Sequence, residues 1–289
     1  MEQQTIQWFP GHMARAEREI AKNLKLVDAV VEILDARIPV SSRNPDLGRM
    51  IGARPRILLL NRSDLADQKQ TACWLAFYHA HGLSAVNADC KTGKGVSAIL
   101  PEIANLLSAK TASWRSKGMA GRKIRIMAAG IPNVGKSSLI NRLAGGSHAA
   151  AENRPGITRK SGWYPVGRGF EVLDTPGVLW PKVTDKTMGE HLAFTGAVRD
   201  DVLDCEWLAC QLLETLRSVA PEALSVRWKL TAEDFTAGDG YELLQRAARH
   251  RGMLAGGGAA DTERAGHVLL EEFRSGKLGR ITLECAKEP

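Results

Sequence analysis

The sequence predicts an α/β protein: a mostly parallel sheet with helices on both faces, followed by a small all-helical domain. Two observations lead to this prediction. Short apolar runs alternate with helical patterns up to about residue 180, and only helical patterns follow. Strands that alternate with helices are typical of parallel sheets covered on both faces. We therefore expect one domain at residues 1–179 and a helical domain at residues 180–289, a division that also suits the chain length.

The first predicted element is an amphipathic helix at residues 13–26. Basic side chains recur along one of its faces at spacings of three and four, and they are Arg15, Arg18, Lys22 and Lys25. This stripe is either a solvated helix face or a surface that contacts RNA.

Five apolar runs are predicted as strands, and they are residues 27–34, 56–60, 83–86, 124–129 and 170–173. Helical periodicity covers residues 68–81, 96–107 and 138–143, while residues 110–123 are predicted to be a connector. Ligands of parallel α/β sheets bind outside the carboxyl ends of the strands. The polar and glycine-rich turns that follow these runs are therefore the place to look for a site.

The last third of the chain carries two apolar helix faces. One contains Leu208, Leu212, Leu213 and Leu216, and the other contains Ala265, Val268, Leu269 and Phe273, with Gly276 placed to end its helix. A basic cluster also lies here, consisting of Arg246, Arg249, His250 and Arg251. This cluster is either a solvated face or a contact for RNA phosphates.

The composition is that of a soluble globular chain, with 289 residues, 44% hydrophobic and 25% charged. No apolar run approaches the roughly 18 residues of a membrane span, and no signal peptide is evident, so we expect no membrane attachment. The net charge of +7 favours a polyanionic partner or an anionic membrane surface.

Five scattered cysteines, among them Cys205 and Cys210, favour free thiols in a reducing cytoplasm over a disulfide framework. Cys205 and Cys210, taken together with His191, lack the closely paired spacing that is typical of zinc ligands.

The most specific motif is a phosphate loop. Two glycines with four residues between them precede Lys and Ser in the segment Gly130-Ile131-Pro132-Asn133-Val134-Gly135-Lys136-Ser137. The segment follows a predicted strand and opens a predicted helix, as this motif requires. Its backbone N–H groups would point at phosphates, Lys136 would reach the terminal phosphates, and the Ser137 hydroxyl would ligate Mg²⁺. We include Val134, Gly135 and Ser138 among the nucleotide-binding residues.

A second motif is a candidate for reading the base. Asn61-Arg62-Ser63-Asp64 resembles the Asn-Lys-x-Asp element of GTPases, in which the Asp carboxylate accepts two hydrogen bonds from guanine. Arg62 replaces the usual Lys, and its stem or guanidinium could still cover the base. The alternative is an ordinary turn in which Asn and Asp act as local caps.

Three further segments fit a nucleotide site. Asp174 closes a predicted strand and would hold Mg²⁺ through a bound water, and the Gly177 amide would sense the γ-phosphate. Thr158 could add a second hydroxyl to Mg²⁺. Asp89 and Cys90 loosely resemble the guanine-edge Ser-Ala-Lys element, in which a backbone N–H near Cys90 would contact the base oxygen.

The base-reading segments precede the phosphate loop, whereas Ras-like GTPases have them after it. This order is that of circularly permuted GTPases. Together with Trp8-Phe9-Pro10-Gly11-His12-Met13 and Asp35-Ala36-Arg37-Ile38-Pro39, the whole chain closely resembles the YlqF family of these GTPases. The resemblance implies a cytoplasmic GTPase of late large-subunit ribosome assembly that contacts ribosomal RNA and is stimulated by the particle. We expect a monomer.

The resemblance also bears on how water is activated. Val178 occupies the position of the catalytic Gln of Ras-like enzymes, so we expect low intrinsic turnover. His12 is implied as a catalytic residue, with surface or RNA contact as the alternative. Asn133 resembles the residue that helps to hold K⁺ in K⁺-stimulated GTPases. Asp35-Ala36-Arg37 is a family signature whose chemistry the sequence does not assign.

Two alternatives to a GTPase assembly factor stay open from the sequence. One is an RNA-binding scaffold that is gated by nucleotide and whose hydrolysis is incidental. The other is an ATPase or kinase with the same phosphate loop. Substitution of Asp64 should distinguish a GTPase from this alternative.

Overall fold

The computed structural model describes residues 10–119, 121–146, 162–177, 179, 185–198, 204–236 and 238–286, with side chains from residue 17 onward. These residues form two compact units. The sheet unit holds the described residues from 10 to 179 together with residues 284–286. The helical unit holds those from 185 to 283.

The sheet unit is built on six strands in the order β3-β2-β1-β4-β6-β5. The strands are β1 (Ala29–Asp35), β2 (Arg56–Asn61), β3 (Ser84–Asn87), β4 (Ile124–Gly130), β5 (Gly162–Val166) and β6 (Phe170–Asp174). All neighbours are parallel except β5, which runs antiparallel to β6. The predicted mostly parallel α/β sheet is confirmed.

The helices of the sheet unit alternate with its strands. They are α1 (Pro10–Leu24), α2 (Pro45–Ile51), α3 (Gln68–Ala80), α4 (Ile99–Leu106), α5 (Ser108–Ser116) and α6 (Lys136–Ala144), with a 3₁₀ turn at Val96–Ala98 before α4. Apolar side chains of α1 and α2 pack on Val30 and Met127, and those of α3 pack on Leu34. The alternate positions Val31 and Ile33 are also buried. The sheet is therefore covered on both faces.

Three elements differ from the sequence-based expectation. Residues 110–123 are not all connector, because α5 continues to Ser116. Helix α2 was not predicted; it is only seven residues long and begins where the Asn44 side chain accepts hydrogen bonds from two backbone N–H groups. Strand β5 was not predicted because it contains Pro165, which a sheet tolerates at its edge.

A buried aspartate anchors the chain at the start of β1. The Asp28 carboxylate accepts hydrogen bonds from Lys110 Nζ at 2.8 Å, Arg125 N at 3.0 Å and Arg122 Nη2 at 3.4 Å. The Arg122 guanidinium also lies 4.1 Å from the centre of the Trp114 ring. Asp28 thereby ties the segment between α5 and β4 to the amino end of the central strand.

The helical unit contains five helices in its described residues, and they are α7 (Lys186–Phe194), α8 (Cys205–Val219), α9 (Pro221–Trp228), α10 (Gly240–His250) and α11 (Thr262–Ser275). Helix α8 packs against the other four. Its buried face is the predicted one, with Leu208, Leu212, Leu213 and Leu216. Helix α11 ends at Gly276, whose φ of 78° is the left-handed conformation expected of a terminating glycine.

Most of the predicted basic cluster in α10 is paired with acidic side chains. Arg246 donates a hydrogen bond to Glu242, and Arg251 donates one to Glu272. His250 Nε2 lies 2.9 Å from Asp234 Oδ2. Arg249 is exposed. These ion pairs favour the solvated-face interpretation for three of the four residues, because groups already paired have less to gain from RNA phosphates.

Among the described residues, no group of three or more His, Cys, Asp and Glu side chains could hold a metal ion, the surroundings of His191, Cys205 and Cys210 included. No described helix combines the length and apolar character needed to cross a membrane.

The last described residues return to the sheet unit. The Glu284 carboxylate accepts hydrogen bonds from the backbone N–H groups of Val40, at 2.6 Å, and Ser41, at 3.1 Å, and from the Ser41 hydroxyl. Trp74 Nε1 donates to the Glu284 carbonyl at 2.8 Å, and Ala286 packs against the α3 cluster. Residues 284–286, which follow the helical unit, thus pack against the sheet unit.

We expect Glu284→Ala to lower the free energy of unfolding of the sheet unit by about 2 kcal/mol, because hydrogen bonds to a charged acceptor contribute more than neutral ones. Urea denaturation followed by circular dichroism measures the change. Cys285→Ala, at the exposed neighbouring position, is the control and should leave stability nearly unchanged. Equal effects of the two variants would contradict the anchoring role of Glu284.

Candidate nucleotide-binding site

The carboxyl ends of four parallel strands bring the predicted site segments to one edge of the sheet. Asp35 pairs in register with Asn61, Ile33 with Gly130, and Ala128 with Asp174. The segments that follow β1, β2, β4 and β6 therefore emerge side by side, as expected for parallel strands.

The phosphate loop wraps around the Lys136 side chain. Lys136 is buried, and its Nζ donates hydrogen bonds to the carbonyl oxygens of Ile131 at 2.6 Å and Gly130 at 3.2 Å. Helix α6 begins at Lys136 after Gly135, which has a φ of 103°. The loop therefore leads into a helix amino terminus, a geometry that attracts anions.

Burial lowers the pKa of Lys136 to about 8, because desolvation disfavours the ammonium form. The nearby Asp174 opposes this shift without cancelling it. The negative charge of a phosphate beside Nζ would favour the ammonium form again.

The Asn61 side chain joins three segments of the site. Its Nδ2 donates to the Val134 carbonyl at 2.7 Å, and its Oδ1 accepts from the Cys90 backbone N–H at 2.9 Å. A Cβ atom on Gly135 would lie 2.2 Å from Asn61 Nδ2, so only glycine fits there. The predicted base-reading segment and the phosphate loop are therefore in direct contact.

Asn61 makes these amide contacts in addition to the purine contact that the sequence predicts. Its amide is buried and bonded to the phosphate loop and to the segment of Cys90. The Cys90 N–H, which the resemblance assigns to the base oxygen, is occupied by the same amide. The base contacts of Asn61 and Cys90 stay predictions.

The neighbouring Arg62 also reaches the phosphate loop. Its Nη2 donates to the Asn133 carbonyl at 2.7 Å. Both residues have left-handed backbone conformations, with φ of 59° for Arg62 and 56° for Asn133. Such conformations are uncommon outside glycine and indicate that the surrounding contacts hold these turns in place.

Asp64 differs from its neighbours because it is exposed. Within the described part of the chain, its carboxylate takes part in no hydrogen bond or ion pair. Two hydrogen bonds to a guanine base would therefore displace no protein partner.

The Asp89 segment is held by its own side chain. Asp89 Oδ1 accepts from the backbone N–H groups of Lys91 at 2.8 Å and Thr92 at 3.2 Å. Burial alone would raise the pKa of Asp89, but the hydrogen bonds from Thr92 and Lys91 outweigh it and lower the pKa. Arg142 of α6 donates to the Lys91 carbonyl, which ties this segment to the helix that follows the phosphate loop.

Asp174 and Ser137, two of the predicted Mg²⁺ ligands, lie together. The Ser137 side chain lies close enough to the Asp174 carboxylate to lower its pKa. Asp174 Oδ1 is buried and, among the described residues, has no hydrogen-bond partner. Burial raises the pKa of Asp174, although Lys136 opposes the shift. An unpartnered carboxylate oxygen beside a hydroxyl is the hard oxygen donor set that Mg²⁺ prefers.

Gly177 approaches the phosphate loop closely. A Cβ atom there would lie 2.7 Å from Pro132 Cα and 2.9 Å from Lys136 Nζ. The Gly177 backbone therefore lies beside the Lys136 ammonium, and its contact with a γ-phosphate stays a prediction.

Three predicted residues lie wholly or partly outside the part of the chain that the structure describes. Thr158 and Val178 lie outside the described residues, and His12 lies in the first turn of α1 with its side chain outside them.

Comparisons with known proteins agree with this geometry. A family model described as "50S ribosome-binding GTPase" matches residues 125–210. The chain is 45% identical over 287 residues to the ribosome biogenesis GTPase A of Priestia megaterium, with 98% of each protein covered. It is 33% identical to the mitochondrial ribosome-associated GTPase 1 of Mus musculus, covering 96% of this chain and 89% of that protein.

Two solved structures are similar along nearly the whole chain. A GDP-bound form of TM YlqF superimposes with a TM-score of 0.66 at 26% identity, covering 93% of this chain and 99% of that one. GNP-bound YlqF from T. maritima gives a TM-score of 0.65 at 26% identity, covering 95% of this chain and 100% of that one. The chain belongs to the ribosome biogenesis GTPase A family, which is the YlqF family that its sequence motifs resemble.

Proposed function

We propose that this chain hydrolyses GTP and acts in the late maturation of the large ribosomal subunit, binding precursor particles in a nucleotide-dependent way. The observation that carries this proposal is the Asn61 amide, which joins the base-reading segment to the phosphate loop. One pocket can then hold both ends of a nucleotide. The relatives named as ribosome biogenesis GTPases support the same activity and setting.

The exposed Asp64 supports guanine as the base. A carboxylate can accept hydrogen bonds from both the ring N1–H and the exocyclic amino group of guanine, and adenine offers no such pair in that arrangement. Arg62, fixed on the phosphate loop by its guanidinium, would have its aliphatic stem available beside the base plane.

Magnesium would be held by the Ser137 hydroxyl and by Asp174, the latter through a bound water, with Thr158 as a third expected ligand. Bound there, Mg²⁺ would neutralise charge that develops on the phosphates. Lys136 would turn from the loop carbonyls to the terminal phosphates, and the Gly177 N–H would contact the γ-phosphate.

Water activation needs a substitute for a catalytic Gln, since Val178 has no polar side chain. We propose His12 for positioning the attacking water and Asn133 for helping to hold a K⁺ ion that supplies positive charge near the phosphates. A low intrinsic rate that rises on the particle follows if the particle places the His12 side chain beside the attacking water.

Ribosomal RNA is the proposed macromolecular partner, in the cytoplasm and with the protein as a monomer. The net charge of +7 supports a polyanionic partner. Exposed basic side chains that could contribute include Arg18 and Lys22 of α1, Lys25 just after it, and Arg249 of α10. The paired side chains of Arg246, His250 and Arg251 make α10 a smaller part of this surface than the sequence suggested.

Asp64→Asn tests the choice of nucleotide. We expect it to weaken GDP binding at least roughly tenfold, because a hydrogen bond to a charged acceptor is replaced and one donor is left unpaired. Titration with fluorescent GDP, and competition with IDP and ADP, measures the change and the base preference. Asp67→Asn, which removes a nearby carboxylate charge but keeps a side-chain oxygen to cap α3, is the control. Unchanged base preference in Asp64→Asn would favour an ATPase or kinase.

The pKa of Lys136 predicts a pH dependence of binding. The free protein carries a half-deprotonated Lys136 near pH 8, and bound phosphates favour the ammonium form, so binding takes up a proton and affinity falls as pH rises above 8. Calorimetry at pH 8 in two buffers of different ionisation enthalpy should show uptake of about half a proton per GDP.

Lys136→Arg is the matched control for the calorimetry, because a guanidinium does not titrate in this range. Deprotonation of guanine itself affects both proteins equally. Identical proton uptake by the variant would assign it to another group.

Co-sedimentation with precursors of the large subunit tests the partner. We expect more protein in the pellet with a GTP analogue than with GDP, and binding that falls steeply with salt because RNA phosphates release counterions. Lys136→Ala should remove the difference between nucleotides. Equal pelleting of the unaltered protein with both nucleotides would argue against a nucleotide-dependent assembly factor.

A further inference from the structure

The Asp35-Ala36-Arg37 segment lies beside the proposed nucleotide site without a role assigned to it so far. Asp35 ends β1, the strand between the one that leads to Arg62 and the one that leads to the phosphate loop. Its Oδ1 accepts from Arg37 Nε at 2.9 Å and from the Arg37 backbone N–H at 3.0 Å, and its Oδ2 accepts from Arg37 Nη2 at 2.7 Å. Both side chains are buried.

The Asp35 carboxylate is charged and held in place. Burial alone would raise its pKa, but the two arginines Arg37 and Arg62 outweigh burial and lower the pKa. The Asp35 backbone N–H donates to Ser42 Oγ at 3.0 Å, and the Ala36 N–H donates to the Asn61 carbonyl at 2.9 Å. The Asp35 carboxylate therefore has a fixed position relative to Asn61, the residue that precedes Arg62.

Arg62 links this carboxylate to the phosphate loop. Its Nη1 lies 3.8 Å from Asp35 Oδ2, while its Nη2 donates to the Asn133 carbonyl at 2.7 Å. The planar guanidinium keeps these two nitrogens in a rigid fork. A guanidinium that is held by Asp35 on one side therefore presents its other side to Asn133.

The Asn133 carbonyl matters because it shares a planar peptide with the Val134 N–H. In a trans peptide the carbonyl and the N–H point in opposite directions. Fixing the carbonyl against Arg62 therefore fixes the direction of the Val134 N–H, one of the loop donors that a phosphate would need.

A purely structural ion pair would look different, and the same strand provides an example. Asp28 is also buried and also meets two basic side chains, but its partners belong to α5 and to the segment before β4. It lies at the opposite end of β1, about 23 Å from Asp35 for an extended strand of this length. None of its partners reaches the phosphate loop.

We propose that Asp35, braced by Arg37, is a positioning residue that orients Arg62 so that the phosphate loop is preformed for the nucleotide. This inference rests on the proposed function, because it concerns how the same site binds its ligand. Asp35 acts through Arg62 and touches neither base nor phosphate.

A double-mutant cycle of Asp35→Asn and Arg62→Gln tests the coupling, with fluorescent GDP as the probe. We expect Asp35→Asn to weaken GDP binding roughly tenfold in the unaltered protein and less than about twofold when Arg62→Gln is already present. Because Asp35 does not read the base, the ratio of GDP to IDP affinity should stay unchanged in Asp35→Asn and fall in Asp64→Asn.

Asp28→Asn is the matched control for a buried aspartate. Thermal melting should show destabilisation by both Asp28→Asn and Asp35→Asn, but only the latter should weaken GDP binding at temperatures where the proteins are folded. If Asp35→Asn does not fold, Arg62→Lys and Arg62→Gln are compared instead. Lys keeps a cation beside Asp35 and should retain more GDP affinity than Gln.

Additive effects in the cycle would overturn the inference, as would equal loss of affinity in Asp28→Asn or equal affinities of the two Arg62 variants. Failure of the proposed function itself gives a different result. In that case Lys136→Ala would not weaken GDP binding and Asp64→Asn would not change base preference, whatever the cycle shows.

Discussion

The two hydrogen bonds of the buried Asn61 amide are the contacts on which the site depends. They connect the end of β2 to Val134, 73 positions later in the chain, and to Cys90. Gly135 is required at the point of contact because any Cβ would collide with the amide. A primary amide suits this position because it supplies both a donor and an acceptor in one plane. The predicted base-reading segment and the phosphate loop are thereby in direct contact although their order along the chain is permuted.

Much of this arrangement could be predicted from the sequence, and the reason is the regularity of parallel sheets. Five of the six strands coincide with short, mostly apolar runs, as expected for strands of a covered sheet. Parallel strands in one sheet place their carboxyl ends at the same edge, so motifs that follow these runs had to meet. The sequence therefore predicts that the phosphate loop, Asp64 and Asp174 lie at one edge of the sheet.

The remaining features depend on contacts between distant segments, which periodicity does not encode. The Asn61 amide also bonds the Val134 carbonyl and the Cys90 N–H, and no local pattern indicates these two contacts. The bridge from Asp35 through Arg62 to Asn133 involves three loops and a left-handed turn that no local pattern indicates. Strand β5 and helix α2 are short, with a proline in one and a proline at the start of the other, so their local signals are weak.

The return of residues 284–286 to the sheet unit makes the helical unit an insertion and not an appendage. The chain leaves the sheet unit after β6 and re-enters it with Glu284, so the helical unit is attached at both of its ends. Ending the gene before residue 284 would therefore remove, along with the helical unit, hydrogen bonds that belong to the sheet unit.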